Sequence, residues 1–181
     1  MKKKLITSSQ IKKAFEDKTP LYAKKQVSVL PDWSDFINNI NSAIKDDSYT
    51  KEPPLLNFER VNHVRFYDKL TIGIDHSNKY PYKGLPEIIN FLKTLNLEPF
   101  VTMSLMNFAD SQKTTSRHSD NCLIFYVQAV GSAKWCILVD DLEKEFVLEP
   151  GDVIFVPAGL MHEIVPLMPR AALSFAVKFI N

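Results

Sequence analysis

The sequence predicts a mainly β protein with helices toward its N-terminus. Three observations carry that expectation. Short β-rich runs follow one another after Pro99, turn-forming triplets separate them, and helical spacing of apolar residues is confined to the first half.

In chain order, Ser8 or Ser9 can cap a short helix running through Phe15. Trp33, Phe36, Ile37, Ile40 and Ile44 then recur at helical spacing after Asp32 and read as a packing stripe. The polar stretch from Asp46 to Pro54 ends in two prolines, which cannot donate backbone hydrogen bonds, and reads as a loop rather than a domain linker. Val61 to Ile74 suggests one or two strands, and Leu85 to Leu95 fits a helix.

The expected strands of the second half are Phe100 to Phe108, Cys122 to Val130, Lys134 to Val139, Phe146 to Leu148, Val153 to Val156, Glu163 to Leu167 and Ala171 to Phe179. Pro150-Gly151-Asp152 and Pro157-Ala158-Gly159 supply turn chemistry between them, spaced as in a sandwich or barrel rather than in βαβ units. One domain over residues 1–181 is expected, with 1–98 as accessory helices and strands and 99–181 as the core.

The bulk numbers narrow the function. Hydrophobic residues make up 45% and charged residues 24%, which fits a globular soluble chain. A net charge of +1 gives no global field for polyanions, so nucleic acid and membrane surfaces gain no support as partners. The two cysteines, Cys122 and Cys136, sit in apolar runs and read as buried thiols. With no secretory h-region after the basic start and no apolar span, a cytoplasmic location is expected.

The chemistry concentrates in Arg117-His118-Ser119-Asp120 and in His162, which follows the Pro157-Ala158-Gly159 turn. In a strand, residues two apart point the same way, so His118 and Asp120 would share one cavity. A second histidine at the start of a strand on the facing sheet would complete two imidazoles and one carboxylate. That facial set leaves coordination positions open and suits non-haem Fe(II). Alone, such a pair is weak, because chance His-x-Asp pairs with structural roles are common.

Context strengthens it. The stretch from Leu148 through Pro150-Gly151-Asp152, Val153-Ile154-Phe155-Val156 and Pro157-Ala158-Gly159 to His162-Glu163 resembles the surroundings of the distal metal histidine in JmjC-type and cupin-like 2-oxoglutarate oxygenases, particularly the bacterial ribosomal oxygenases. His118-Ser119-Asp120, followed by Phe125, Gln128, Gly131 and Trp135, resembles the family's first metal pair and the strand after it. The resemblance covers residues from about Phe100 onward. It implies a double-stranded β-helix (cupin or jelly roll), with His118, Asp120 and His162 holding Fe(II), 2-oxoglutarate as cosubstrate and dioxygen as oxidant.

One departure stands out. Where the family commonly has a lysine or arginine for the distal carboxylate of 2-oxoglutarate, this chain has Ala133. Lys134 is a second choice, because strand alternation turns it away unless a bulge intervenes. Arg170 shares parity with Ser174, at the family's site-facing serine position, and several other 2-oxoglutarate oxygenases use an arginine with a serine or threonine there; a guanidinium fork suits a carboxylate. Pro169-Arg170 reads equally as an exposed turn. Thr115 matches a family threonine that contacts the cosubstrate, and reads equally as a polar loop residue.

The resemblance also has limits. The interval between His118 and His162 is shorter than in JmjC relatives, and the chain ends almost at the last expected strand, so the dimerisation and winged-helix parts of the ribosomal oxygenases are not expected. Their ribosomal-protein substrate does not carry over. His63 and His76 read as surface or core histidines, Asp140-Asp141 as an acidic turn, and Phe125 and Trp135 as core that could line the cavity.

The expected activity is hydroxylation of a protein side chain or a small molecule. Two alternatives stand beside it: a metal-binding cupin that does not use 2-oxoglutarate, acting as an isomerase or direct dioxygenase, and a non-catalytic binding module.

Overall fold

The computed structural model describes residues 5–45, 64–67, 71–75, 82–108 and 117–180. Thr115, His63, His76 and the 46–54 loop lie outside the described residues.

Helix α1 spans Ser8–Glu16, but its cap is Thr7 rather than Ser8 or Ser9. Thr7 Oγ1 accepts from the Gln10 backbone N–H, while Gln10 Oε1 accepts from the Thr7 N–H at 3.0 Å, a reciprocal pair that satisfies two otherwise open donors. A three-residue strand, β1 (Leu21–Ala23), precedes α2 (Trp33–Lys45). Asp32 starts α2 by accepting from Ser34 N at 2.8 Å and Asp35 N at 3.2 Å. Of the expected apolar stripe, Phe36 is buried and Trp33 and Ile40 pack against the same core, whereas Ile37 is exposed; Asn39 and Ala43 complete the buried face.

The run from Val61 to Ile74, expected to hold one or two strands, holds two that pair antiparallel, β2 (Val64–Tyr67) and β3 (Thr71–Asp75), and α3 spans Leu85–Thr94. Then come β4 (Leu97–Asn107), β5 (Leu123–Val130), β6 (Ala133–Val139), β7 (Leu142–Leu148), β8 (Val153–Val156), β9 (His162–Pro166) and β10 (Arg170–Phe179). All pair antiparallel, in a seven-stranded sheet ordered β1-β8-β5-β10-β4-β3-β2 and a three-stranded sheet ordered β7-β6-β9. Strands from the first half thus flank the large sheet on both sides.

Side-chain alternation splits the core in two. Phe125, Val127, Leu173 and Phe175 point to the outer face of the large sheet and pack with Ile11, Phe36, Ile88 and Leu92 from the helices. Ile124, Tyr126, Ile154, Val156 and Ala172 point inward and meet Trp135, Ile137 and Ile164 of the small sheet. The inward cluster fills the interior of a jelly-roll barrel, and the functional residues lie along it. Each large side chain buried here contributes roughly 1.5–3 kcal/mol.

Candidate metal centre

His118 and His162 are joined by their backbones. The His118 N–H donates to the His162 carbonyl at 3.0 Å and the His162 N–H to the His118 carbonyl at 2.7 Å. This single bridge extends the small sheet beyond β9, so both histidines belong to the same sheet rather than to facing ones. His118 and Asp120 are also not on a regular strand: His118 makes only the bridge, and Asp120 lies in a loop. The Asp120 carbonyl accepts from the Gly159 N–H at 2.9 Å, so the Pro157-Ala158-Gly159 turn places the carboxylate beside His162.

The three side chains converge, with ligand atoms of His118, Asp120 and His162 all within 4.8 Å of one another. His162 Nδ1–H donates to the Leu160 carbonyl at 2.9 Å, which turns Nε2 toward Asp120, 3.4 Å from Oδ2. The two imidazole centroids are 4.5 Å apart. Trp135 stacks on His162, centroids 5.2 Å apart and planes 25° from parallel.

His162 is buried while Asp120 is partly open, so the centre has one dry wall and one accessible side. Burial pushes the His162 imidazole below its ordinary pKa. The Leu160 carbonyl opposes the shift, nearby His118 adds to it, and Asp120 opposes it. The neutral imidazole that results is the form that binds metal. Two nitrogens and one carboxylate at one accessible corner fit a divalent transition metal such as iron.

The remaining expected residues are distributed unevenly. Arg170, the first residue of β10, is buried on the inner face, so it is not an exposed turn residue; its Nη1 donates to the Tyr126 hydroxyl. Ser174 follows on the same face, in register with Tyr126 of β5 and half-buried.

Lys134 points out of the barrel and pairs with Glu145 at 2.6 Å, away from the centre. No bulge turns it inward; β6 keeps regular register with both neighbours, and inward-facing Ala133 is buried. Phe125 likewise faces away from the cavity, its ring 6.1 Å from Phe91 of α3. Asp140 and Asp141 form the exposed β6–β7 turn, both at positive φ.

On the outer surface of the small sheet Cys136, Glu143 and Glu145 also come together, but Arg117 pairs with Glu143 and Lys134 with Glu145, so this cluster is already neutralised. Arg117 also reaches Glu163 at 3.2 Å and ties the His118 segment to β9 from that side.

Tyr126 was not anticipated. Its signal is parity: it shares a strand face with Gln128, and its hydroxyl donates to Gln128 Oε1 at 3.2 Å.

Comparison with known proteins follows the same lines. The JmjC domain family matches residues 138–181, which hold β7 to β10 and His162. Structures of the ribosomal oxygenase YcfD from Escherichia coli are similar. One is 16% identical, covering 100% of this chain and 54% of that one, with a TM-score of 0.63. Another, in complex with cobalt and 2-oxoglutarate, is 16% identical, covers 94% of this chain and 52% of that one, and has a TM-score of 0.63. This chain therefore spans about half the length of that oxygenase. No curated protein matches. At such identity the likeness shows the fold, and with the family match it supports the resemblance to JmjC-type, cupin-like oxygenases carried by the sequence motifs.

Proposed function

We propose that the chain is an Fe(II)- and 2-oxoglutarate-dependent dioxygenase that hydroxylates a protein side chain or a small molecule. The observation that carries this reading is the convergence of His118, Asp120 and His162 at one accessible corner of the barrel. The same fold in YcfD, a structure of which contains cobalt and 2-oxoglutarate, supports the choice of cosubstrate.

Bound iron would supply a redox-active Lewis acid able to couple oxidative decarboxylation of a keto acid to C–H hydroxylation. The chain's own residues hold and shield it. Leu160 fixes the His162 tautomer, and the paired backbone bonds between His118 and His162 keep their spacing. Asp120 contributes the negative charge that offsets the cation. Trp135 and Ile164 give the inner side an apolar wall that keeps water away. Arg170, with Ser174 on the same face and Thr115 from outside the described residues, would grip the far end of 2-oxoglutarate.

No helix among the described residues is long and apolar enough to cross a membrane. A cytoplasmic setting belongs to the proposal and is supported by the free thiols of Cys122 and Cys136.

Buried Ala133, where relatives commonly have a cation, favours the second reading, a metal-binding cupin without 2-oxoglutarate. Incubation with Fe(II), 2-oxoglutarate and dioxygen separates the two. The oxygenase forms succinate slowly even without substrate, and His162→Ala abolishes both succinate and iron binding. No succinate and no 2-oxoglutarate binding by an iron-loaded chain would overturn the assignment.

A further inference from the structure

The backbone holds the His118 segment lightly. Its bridge to His162 gives two bonds and the Gly159 N–H adds one at the Asp120 carbonyl, while Ser119 and Asn121 stand exposed. A backbone bond offsets little more than the entropy of fixing one residue, so these bonds leave the stretch from Arg117 to Asp120 marginally ordered.

The ladder adds no bond where the next one is needed. His118 and His162 exchange both N–H···O bonds and are therefore a hydrogen-bonded pair. The next pair along, Arg117 and Glu163, is then a non-hydrogen-bonded one, in which side chains come closest and must carry the contact. Alternation turns both to the outer face of the small sheet, behind the imidazoles, where Glu163 stands in register with Cys136. There Arg117 Nη2 meets Glu163 Oε1 at 3.2 Å and also donates to Glu143. Because Glu143 belongs to β7, one guanidinium reaches across β9 and β6 and fastens the segment to the whole sheet.

Burial sets this contact apart from an ordinary surface ion pair, which contributes little. The Glu163 side chain is only 6% exposed, and a carboxylate at that depth is costly without a counter-charge. Arg117 supplies the charge from the residue next to one imidazole, and Glu163 receives it next to the other.

We propose that Arg117 is a positioning residue for the metal centre: by clasping Glu163 and Glu143 on the outer face, it latches His118 against β9, so that both imidazoles are in place before a cation arrives. The latch rests on the metal-binding part of the reading above and is independent of 2-oxoglutarate.

Deleting Arg117 has two effects of opposite sign, which makes the test decisive. A positive charge beside His118 repels an incoming divalent ion, so charge removal alone would tighten metal binding. Loss of the latch loosens it. In calorimetric titration with Zn(II), Arg117→Ala loses about tenfold or more in affinity. Arg117→Lys, which keeps the charge without the fork, recovers part of that loss.

Backbone hydrogen exchange, followed by NMR in EDTA, reads the latch without metal. In Arg117→Ala the His118 and His162 amides exchange about tenfold faster than in the wild-type chain, while those of Trp135 and Ile137 within β6 keep their rates. Glu163→Gln speeds the same two amides, and the double variant speeds them no further. Raising salt from about 0.05 M to about 0.5 M accelerates both amides in the wild-type chain, because it screens the ion pair.

Unchanged or tighter Zn(II) binding by Arg117→Ala overturns the latch, as does His118 exchange at the wild-type rate. Should that variant not fold, wild-type exchange at His118 that ignores salt overturns it equally. If the wild-type chain binds no Zn(II), the metal centre itself falls, and the exchange rates in EDTA still uphold or end the latch.

Discussion

Gly131, in the connection between β5 and β6, lies against the turn that launches Arg170, and replacing it with alanine tests whether that contact sets the position of the guanidinium. Gly131 has φ +67°, and a Cβ built there would lie 2.2 Å from the Pro169 carbonyl oxygen and 3.1 Å from the Arg170 Cα. Both contacts are with backbone, so the strand start must move. Gly159 provides the control, because its φ of +84° is just as unfavourable for alanine but its Cβ would meet nothing within 4 Å. Left-handed strain costs each variant about 1–2 kcal/mol. Overpacking adds about 1–3 kcal/mol at Gly131 only. Gly131→Ala should therefore lose roughly 2–5 kcal/mol in urea unfolding and Gly159→Ala roughly 1–2 kcal/mol, with unchanged m-values. Gly131→Ala should also weaken 2-oxoglutarate binding while sparing metal affinity. Equal stability losses would refute the steric argument. Wild-type 2-oxoglutarate affinity in Gly131→Ala would show that the Pro169-Arg170 backbone does not govern the anchor.

Lys134→Ala should leave 2-oxoglutarate affinity unchanged by calorimetry, since that lysine pairs with Glu145 on the outer surface; a large loss would return Lys134 to the site. Asp152 is buried and accepts from the Tyr22 hydroxyl at 2.9 Å, the Lys25 N–H at 2.8 Å and the Glu149 N–H at 3.1 Å. Asp152→Ala strands these donors and should cost about 2–4 kcal/mol in denaturant unfolding. Burial, and then the bond to Asp152, raise the Tyr22 phenol well above its ordinary value of 10.0. Above about pH 10 the unfolded chain releases this proton while the folded one keeps it, so stability falls as pH rises, and Tyr22→Phe should flatten that alkaline slope.

Much of the fold is legible in residue order because its signals are local. Val153 to Val156 stands between two turn triplets and forms β8 with those limits, and Leu85 to Leu95 differs from α3 by a single residue. What depended on a distant partner was not legible. His118-Ser119-Asp120 reads as a strand by alternation, yet strand formation needs a neighbour, and only His118 finds one, in His162. Three consecutive hydroxyl residues could cap α1, and the deciding signal was Gln10, three residues after Thr7. The convergence of His118, Asp120 and His162 follows the order the family motif implies. The burial of Arg170 could not be read from Pro169-Arg170, because it is set by β4 and β5 on either side of β10.

The large sheet's strand order has a practical outcome for anyone trimming the chain. β1 hydrogen-bonds to β8 at one margin, and β3 to β4 near the other. A fragment starting at β4 would keep every metal-binding side chain yet lose both selvedges and the helices that cover the sheet's greasy underside. Its bare rims would invite neighbouring copies to zip on, so such a fragment should be recovered as aggregates, however intact its chemistry.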